Sequence, residues 1–556
     1  MQLNLIDRAV QAVAPVWALE RRIQRTKARL QLHALDSAAS ALGDLAQSGA
    51  SASMDSGDSS SGGSPSAGRR WFSSPRDSKS DTLYLLPTQR GQSRELARTS
   101  PIAVGAINTN VDRVVGTGLA LSCQPDCNIL GWTQEQKDAW KKITQAEFSL
   151  WSDSTESDIC NTLNFYEQQA LVLRSTLESG DCFTNLPNGQ STSSQPYKLR
   201  LQVIEADRVG NEFGKIDGAG GVSGGIKFDP NGRPVACFVY DQHPGAGYSP
   251  SNGALYKGSF VDFVGASGRR RILHHLRKLR PDQPRGVPYL APITNLVKQL
   301  KRLSDAEVEA AVISAFFTVF IEGTPAGDPA PIFDGKPAKV EKSPDDDIAL
   351  GQGAIVGLAP GEKINIANPA RPNPNLDAFI TSMLREVGMA LGIPQELLSK
   401  QFNASYSASK AALLDAWVYF RNVRTWLARS FCQPVYETWL SEAVASGRIA
   451  APGFFTDPLM RWAYTRAAWH GDSMGSINPK DEVAAYTSAI DARLMTRERA
   501  VWELFGTDFD TDFPQMRREH EQLQEADMLP VPKAGAAAPQ SAAKPADPQS
   551  KPEGTP

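Results

Sequence analysis

A surplus of positive charge is missing from this 556-residue chain: 58 lysines and arginines stand against 61 aspartates and glutamates, a formal charge of −3. Tight binding to nucleic acid draws on phosphate neutralisation and counterion release, which need a cationic excess. The balance excludes a protein that clamps DNA and leaves room for one that accommodates it. Cysteine is scarce too. Six in the whole chain cannot staple a scaffold of this size, and Cys123 and Cys127 are not followed by a second Cys/His pair at zinc spacing. We expect free thiols, as in a reducing compartment. Long apolar runs are also lacking. The longest nearly apolar stretch, Ala310–Ile321, falls well short of the roughly 20 residues a membrane-spanning helix needs. The opening MQLNLIDRAVQAVAPVWALERR carries Asp7 and Arg8 early and has neither the apolar core nor the small-residue cleavage site of a signal peptide. The expectation is a soluble intracellular protein with no membrane partner.

Catalytic and cofactor motifs are mostly absent. No G-x-x-x-x-G-K-[ST] occurs: Gly214-Lys215 is followed by Ile216, and Gly335-Lys336 by Pro337. The glycine-rich GAGGVSGG lacks the G-x-G-x-x-G spacing of a dinucleotide site. Asp345–Asp347 is a lone acidic run and reads as a solvated loop, so no metal and no cofactor is implied. One stretch does imitate an enzyme. In HGDSMG, His470–Gly475, the residues Gly471, Ser473 and Gly475 spell G-x-S-x-G. That elbow works only where a buried strand precedes it and a helix follows at once. Here Thr465 and Arg466 interrupt the approach, and Ser476 and Ile477 intervene before Asn478-Pro479, which reads as an N-cap and a first helical position. The only downstream histidine is His520, in the charged segment MRREHEQLQE. A serine hydrolase using Ser473 is the alternative that this context disfavours.

What is present is a long series of helical signals around a region of strands. Residues 1–36 look helical and basic, and 37–70 form a Ser/Gly linker. A helix then a strand lie between Leu96 and Leu121, with Pro101 in the first turn and Gly116 and Gly118 closing the element. A tryptophan-bearing helix follows (Trp132, Trp140, Phe148, Trp151), then a helix Phe165–Ser179 closed by Gly180. Lys198–Ile204 and Pro234–Tyr240 alternate as strands do, with GAGGVSGG as the loop between them. A long helix is expected from about Pro292 to Phe320, and a β-containing insert over 322–372. A second helix, capped by Asn375 and stopped by Gly392 and Pro394, carries Leu376, Phe379, Ile380, Met383, Leu384, Val387 and Leu391 on one face. A third runs from Ser407 to Phe431, and two more cover Asp481–Ile490 and Thr496–Phe505. The tail after Leu529 is disordered by composition. The fold class is α+β, mostly helical.

Seven basic residues and one acidic residue fall between Arg269 and Arg285. His274 and His275 lie within this stretch, and neighbours on a strand point to opposite faces, so the pair cannot share one metal ion. The stretch reads chiefly as a strand entering a basic turn that ends at Gly286 and Pro288. Arg277, Arg280 and Arg285 remain candidates for a phosphate-contacting or inter-subunit patch.

Four blocks, in order, carry a family resemblance. RPDQPRGVPYLAP (Arg280–Pro292), LAPGEKINIANPARPNPNLDAFITSMLREVGMALGIPQELLS (Leu358–Ser399), NASYSASKAALLDAWVYFRNVRTWL (Asn403–Leu427) and HGDSMGSINPKDEVAAY (His470–Tyr486) resemble signature segments of the lambda-type portal proteins of tailed bacteriophages. The similarity runs from about Leu96 to Glu525. It implies a portal fold with wing, stem, clip and a C-terminal helical crown, assembling into a ring of twelve subunits. Mapped onto this chain, the wing would be 71–289, the first stem helix 290–320, the clip 321–374 and the second stem helix 375–392. Residues 393–475 would hold a channel loop, a long helix and the rest of the wing, with crown helices at 476–529 and a tail at 530–556. The implied partners are other copies of the chain, the terminase large subunit, the major capsid protein, a head–tail connector and the double-stranded DNA passing through. The polar stretch before the long helix would face the channel, making Lys400, Asn403, Tyr406, Ser407 and Lys410 channel-loop candidates. The implied location is the virion, with assembly in the host cytoplasm.

Overall fold

The structure, a computed structural model, describes residues 76–212, 215–246, 257–315, 319–323, 362–366, 375–402, 405–475, 478–507, 509–526 and 528. The basic opening helix, the Ser/Gly linker, Asp345–Asp347 with most of the insert, Asn403 and the tail lie outside the described residues. The chain divides into two units, Met1–Trp469 and His470–Pro556.

In the first unit, helix starts follow side-chain caps. Asp77 accepts the N–H groups of Lys79 and Ser80 to open α1, Ser78–Thr99, and Ser100 caps α2, Pro101–Val114, with proline in its first turn. After β1, Ala120–Cys123, reciprocal capping boxes start α3, Gln134–Ser152 (Thr133 with Gln136), and α4, Phe165–Ser179 (Asn164 with Glu167). Gly180, at φ 90°, ends α4 and turns the chain straight into β2, Asp181–Asn185. β2 is the centre of an antiparallel sheet, between β3, Gln202–Ile204, and β8, Ile272–Leu276. The strand expected over Lys198–Ile204 is shorter than its alternating pattern, because pairing before Gln202 reduces to isolated bridges at Leu199 and Leu201.

A second antiparallel sheet takes the order β4 (Val222–Ser223), β5 (Ile226–Phe228), β6 (Pro234–Tyr240), β7 (Gly258–Asp262). GAGGVSGG, expected as a plain loop, therefore contributes β4. Ser223 pairs with Ile226, and Gly224 and Gly225 between them both have positive φ, as a two-residue hairpin turn demands.

The long helix α5 spans Thr294–Ala315 and stops short of Phe320. Val319–Gly323 is instead β9, paired antiparallel with β10, Glu362–Ile366. The β-branched and aromatic side chains of that apolar run suit a pleated strand better than a helix. α6 covers Leu376–Leu391 and ends at Gly392 in the left-handed region; Asn375 precedes it, but its side chain makes no capping bond. Of the expected apolar face, Met383, Val387 and Leu391 are buried while Phe379 is 55% exposed, so only the C-terminal half of α6 is rooted in the body. After the short α7, Gln395–Ser399, α8 begins at Tyr406 and runs to Leu427. It does not end at Phe431. A wider π turn, Ala428–Cys432, carries it into α9, Gln433–Ala445. α10, Pro458–Thr465, and β11, Ala467–His470, follow, with β11 paired to β1.

The main core lies where α3, α4 and the helix continuing through the π turn meet. Phe165 stacks on Phe431 at 5.5 Å, and Phe148 sets its edge against Trp439 at 5.0 Å. A smaller core (Phe183, Ile204, Val209, Ile226, Cys237, Ile272) joins the two sheets. All six cysteines are free, and no helix of the described residues is long and apolar enough to cross a membrane. The described residues of the second unit form three helices: α11, Pro479–Asp491, α12, Arg497–Phe505, and α13, Phe509–Glu525.

Candidate functional site

A buried cluster of charge in the first unit centres on a residue the sequence reading does not single out. Asp181, the first residue of β2, is completely buried. Its Oδ1 accepts from Arg90 at 2.6 Å, and its Oδ2 accepts from Arg285 Nε at 2.7 Å and from the Gly286 N–H at 3.1 Å; His274 Nε2 lies 3.0 Å away. Arg90, from α1, also donates to the Ser179 carbonyl and to Asp207. Arg94, one turn further on, joins Asp207 to Glu205. Burial works to raise the Asp181 carboxyl, but Arg285 and Arg90, with His274, outweigh it and hold it well below the usual carboxylate range.

Arg285, expected as a surface cation, is corrected by this arrangement. It is 2% exposed. Besides its two bonds to Asp181, it donates to the carbonyls of Val209, Gly224 and Ala206 at 2.6–2.8 Å. A guanidinium has five N–H donors, and all five are used, so none is left for a phosphate. The RGVP segment is thereby a fold determinant. Gly286 passes so close to Gly180 that a Cβ on it would meet the Gly180 carbonyl oxygen at 1.9 Å.

The two histidines separate as strand geometry requires. His274 faces the network and stacks on Phe183 at 4.3 Å; burial pushes its imidazole down against the pull of Asp181. His275 faces the main core, within 2.9 Å of the Thr184 hydroxyl, and burial pushes it down to about 3. Neither is placed to bind a metal with the other. Glu205, Asp207 and His243 do bring ligand-type atoms within 4.8 Å of one another, but Arg94 and Arg90 already occupy the carboxylates with positive charge.

Arg277 and Arg280 stay at the surface. Arg277 sits over the Tyr419 ring at 5.9 Å, and Arg280 pairs with Asp81 at 2.8 Å and donates to the Arg76 carbonyl. Of the channel-loop candidates, Lys400 is exposed and ends α7 in the left-handed region at φ 53°. Ser405 caps α8, with its hydroxyl 3.3 Å from that of the exposed Ser407. Tyr406 is the first residue of α8, and Lys410 is half-buried one turn on. Lys400 and Lys410 thus flank the start of one helix, on either side of the connection.

Ser473 has no catalytic setting. A strand does precede it, but it starts only after Arg466: β11 is four half-buried residues long and has one partner strand. No helix starts until Pro479. The Ser473 hydroxyl accepts from the Gly475 N–H at 3.3 Å, and among the described residues no histidine or carboxylate is bonded to it. The turn instead packs on the end of α12, where a Cβ at Gly506 would lie 2.9 Å from the Ser473 nitrogen.

Residues 64–424 match a family model described as "Phage portal protein, lambda family". The chain is 24% identical over 500 residues to the portal protein of Escherichia phage N15, covering 84% of this chain and 90% of that one. It is 23% identical over 506 residues to portal protein B of Escherichia phage lambda, covering 86% and 92%. Among solved structures, a chain from the neck of a native GTA particle computed with C12 symmetry aligns at 12% identity and TM-score 0.41, over 77% of this chain and 94% of that one. One from the neck of an empty GTA particle computed with C6 symmetry aligns at 13% identity and TM-score 0.42, over 75% and 94%.

Proposed function

The chain belongs to the lambda family of phage portal proteins, and on that premise we propose that it forms a closed ring of twelve copies around the DNA channel at one vertex of the head. Members of this family are structural components of the virion and not enzymes, which disposes of Ser473 as a nucleophile. During assembly in the host cytoplasm, the ring sits among major capsid protein subunits and docks the terminase large subunit. Double-stranded DNA enters through it during packaging. A head–tail connector then takes the terminase's place, and DNA leaves by the same route.

The observation that carries this is the extent of the family match, which runs unbroken from before α1 into α8. The order of elements fits it. α5 leads into β9, β10 returns from the insert, and α6 re-enters the body, as a stem helix, a clip and a second stem helix would. Residues 71–289 then form the wing, and the second unit supplies the crown. Neighbouring copies use different faces on their two sides, as a closed head-to-tail ring requires.

The direct test is native mass with electron microscopy of the same sample. We expect a closed annulus near twelve times 60.2 kDa, with an opening wide enough for a duplex about 20 Å across. Closed icosahedral shells, or one or two chains even when co-expressed with the head proteins, would overturn the ring.

A further inference from the structure

We infer that α13 packs in parallel against the α13 helices of neighbouring copies, so that the C-terminal unit carries its own ring contact; this rests on the ring reading above. Phe509, Phe513, Met516, His520 and Leu523 follow one another at spacings of four, three, four and three residues, the seam of a helix that packs on another helix. From Phe513 onward the seam is uncovered. Every residue from Phe513 to Glu525 is exposed, with Phe513, Met516 and Leu523 at 51%, 46% and 41%. Such a helix is poorly equipped to stand alone. Isolated helices of about this length are marginal in water, and Pro514 removes one of its backbone hydrogen bonds.

Charge decides which occupant fits. Asp512 lies on one flank of the seam and Arg517, five residues later, on the other. In a parallel pair in equal register, these flanking positions of adjacent helices face each other, which sets Asp512 of one copy beside Arg517 of the next. An antiparallel pair would bring like flanks together, arginine to arginine. The pair that Arg517 makes with Glu521 in its own helix is exposed and worth little, so it yields easily. Copies related by a ring axis hold α13 at equal height, and where that helix runs along the axis neighbouring copies are parallel and in equal register. Because the flanks differ, each copy meets one neighbour through Asp512 and the other through Arg517, and the contact closes around the ring.

The test uses the full chain with the exposed Cys160 changed to serine, carrying Asp512→Cys, Arg517→Cys or both, treated with a short bismaleimide. With both cysteines, the single-chain band should shift to a ladder of covalent multiples; with either alone, it should not. A ring of the expected mass without the ladder overturns this pairing and leaves the portal reading standing, whereas neither ring nor ladder overturns both. A ladder from Asp512→Cys alone would mean that like flanks meet, against the proposed register. Independently, Met516→Lys with Leu523→Lys should raise the concentration needed for half-assembly by at least about tenfold, as lost burial of two such side chains requires. Unchanged assembly with intact helical circular dichroism would show that the seam covers nothing.

Discussion

Arg285 illustrates how much a single residue can hold. Its guanidinium bonds to Asp181 and to three carbonyls from the chain around β3 and β4, so removing it leaves a buried carboxylate short of a partner and three carbonyls short of donors. Breaking a buried pair from one side costs about 3–5 kcal/mol. Arg285→Met should therefore lower stability by that amount in denaturant unfolding. Arg280→Ala, which loses an exposed pair with Asp81 and an exposed bond to the Arg76 carbonyl, should cost under about 1 kcal/mol. Equal small losses would return Arg285 to the surface patch. The acid limb gives a second readout. Because the folded Asp181 carboxyl is held below its ordinary value, its contribution is complete above the usual carboxylate range and is lost only as pH falls through the lowered value. Arg285→Met should move that loss to higher pH. None of this could be read from the sequence. Asp181 meets its arginines across 91 and 104 residues of chain, and a lone Asp after Ser-Gly carries no local sign of such partners, whereas the basic run ending at Arg285 carries a misleading one.

At the scale of elements, glycine substitutions separate what a helix needs from what it tolerates. Gly91 lies exposed in the middle of α1, with open space where a Cβ would go. Gly91→Ala should stabilise by about 0.5–1 kcal/mol, since it restores helix propensity at no steric cost. Gly392 ends α6 at φ 66°, and a Cβ on it would lie 3.2 Å from the Tyr419 ring. Gly392→Ala should destabilise by about 1–2 kcal/mol. Thermal unfolding of the two variants checks the opposite signs. Element ends were readable where a residue type has one strong conformational preference: Gly180 and Gly392 as stops, Pro101 and Pro479 as first-turn residues. They were missed where two preferences compete. The apolar run after Ala310 satisfies a helix and a strand equally by hydropathy; its β-branched and aromatic residues lean to a strand, and the pairing of β9 with a segment some forty residues later secures it. Likewise the helix expected to end at Phe431 continues, through a π turn, into α9.

For the whole molecule, the near-balance of charge sets how DNA can be handled. Each phosphate neutralised by a lysine releases counterion and makes binding steeper in salt, by about 0.9 in the logarithm per contact on a duplex. In the ring proposed above, near-neutral subunits would let a duplex slide, and any grip would have to come from a few cations repeated around the axis. We propose that Lys400 and Lys410, which flank the start of α8, supply it. Lys400 is exposed, in a backbone conformation unusual for a side-chain-bearing residue, so its position is fixed by the turn rather than by packing. Lys400→Ala with Lys410→Ala should leave native mass and annulus unchanged while altering the rate at which heads fill with DNA, measured by packaging with purified terminase. The difference should shrink as salt rises, because screening already weakens the contacts being removed. Packaging unchanged at low salt would remove both lysines from the channel. A ring that no longer assembles would instead place them between subunits, where the start of α8 would serve neighbouring copies and not the duplex.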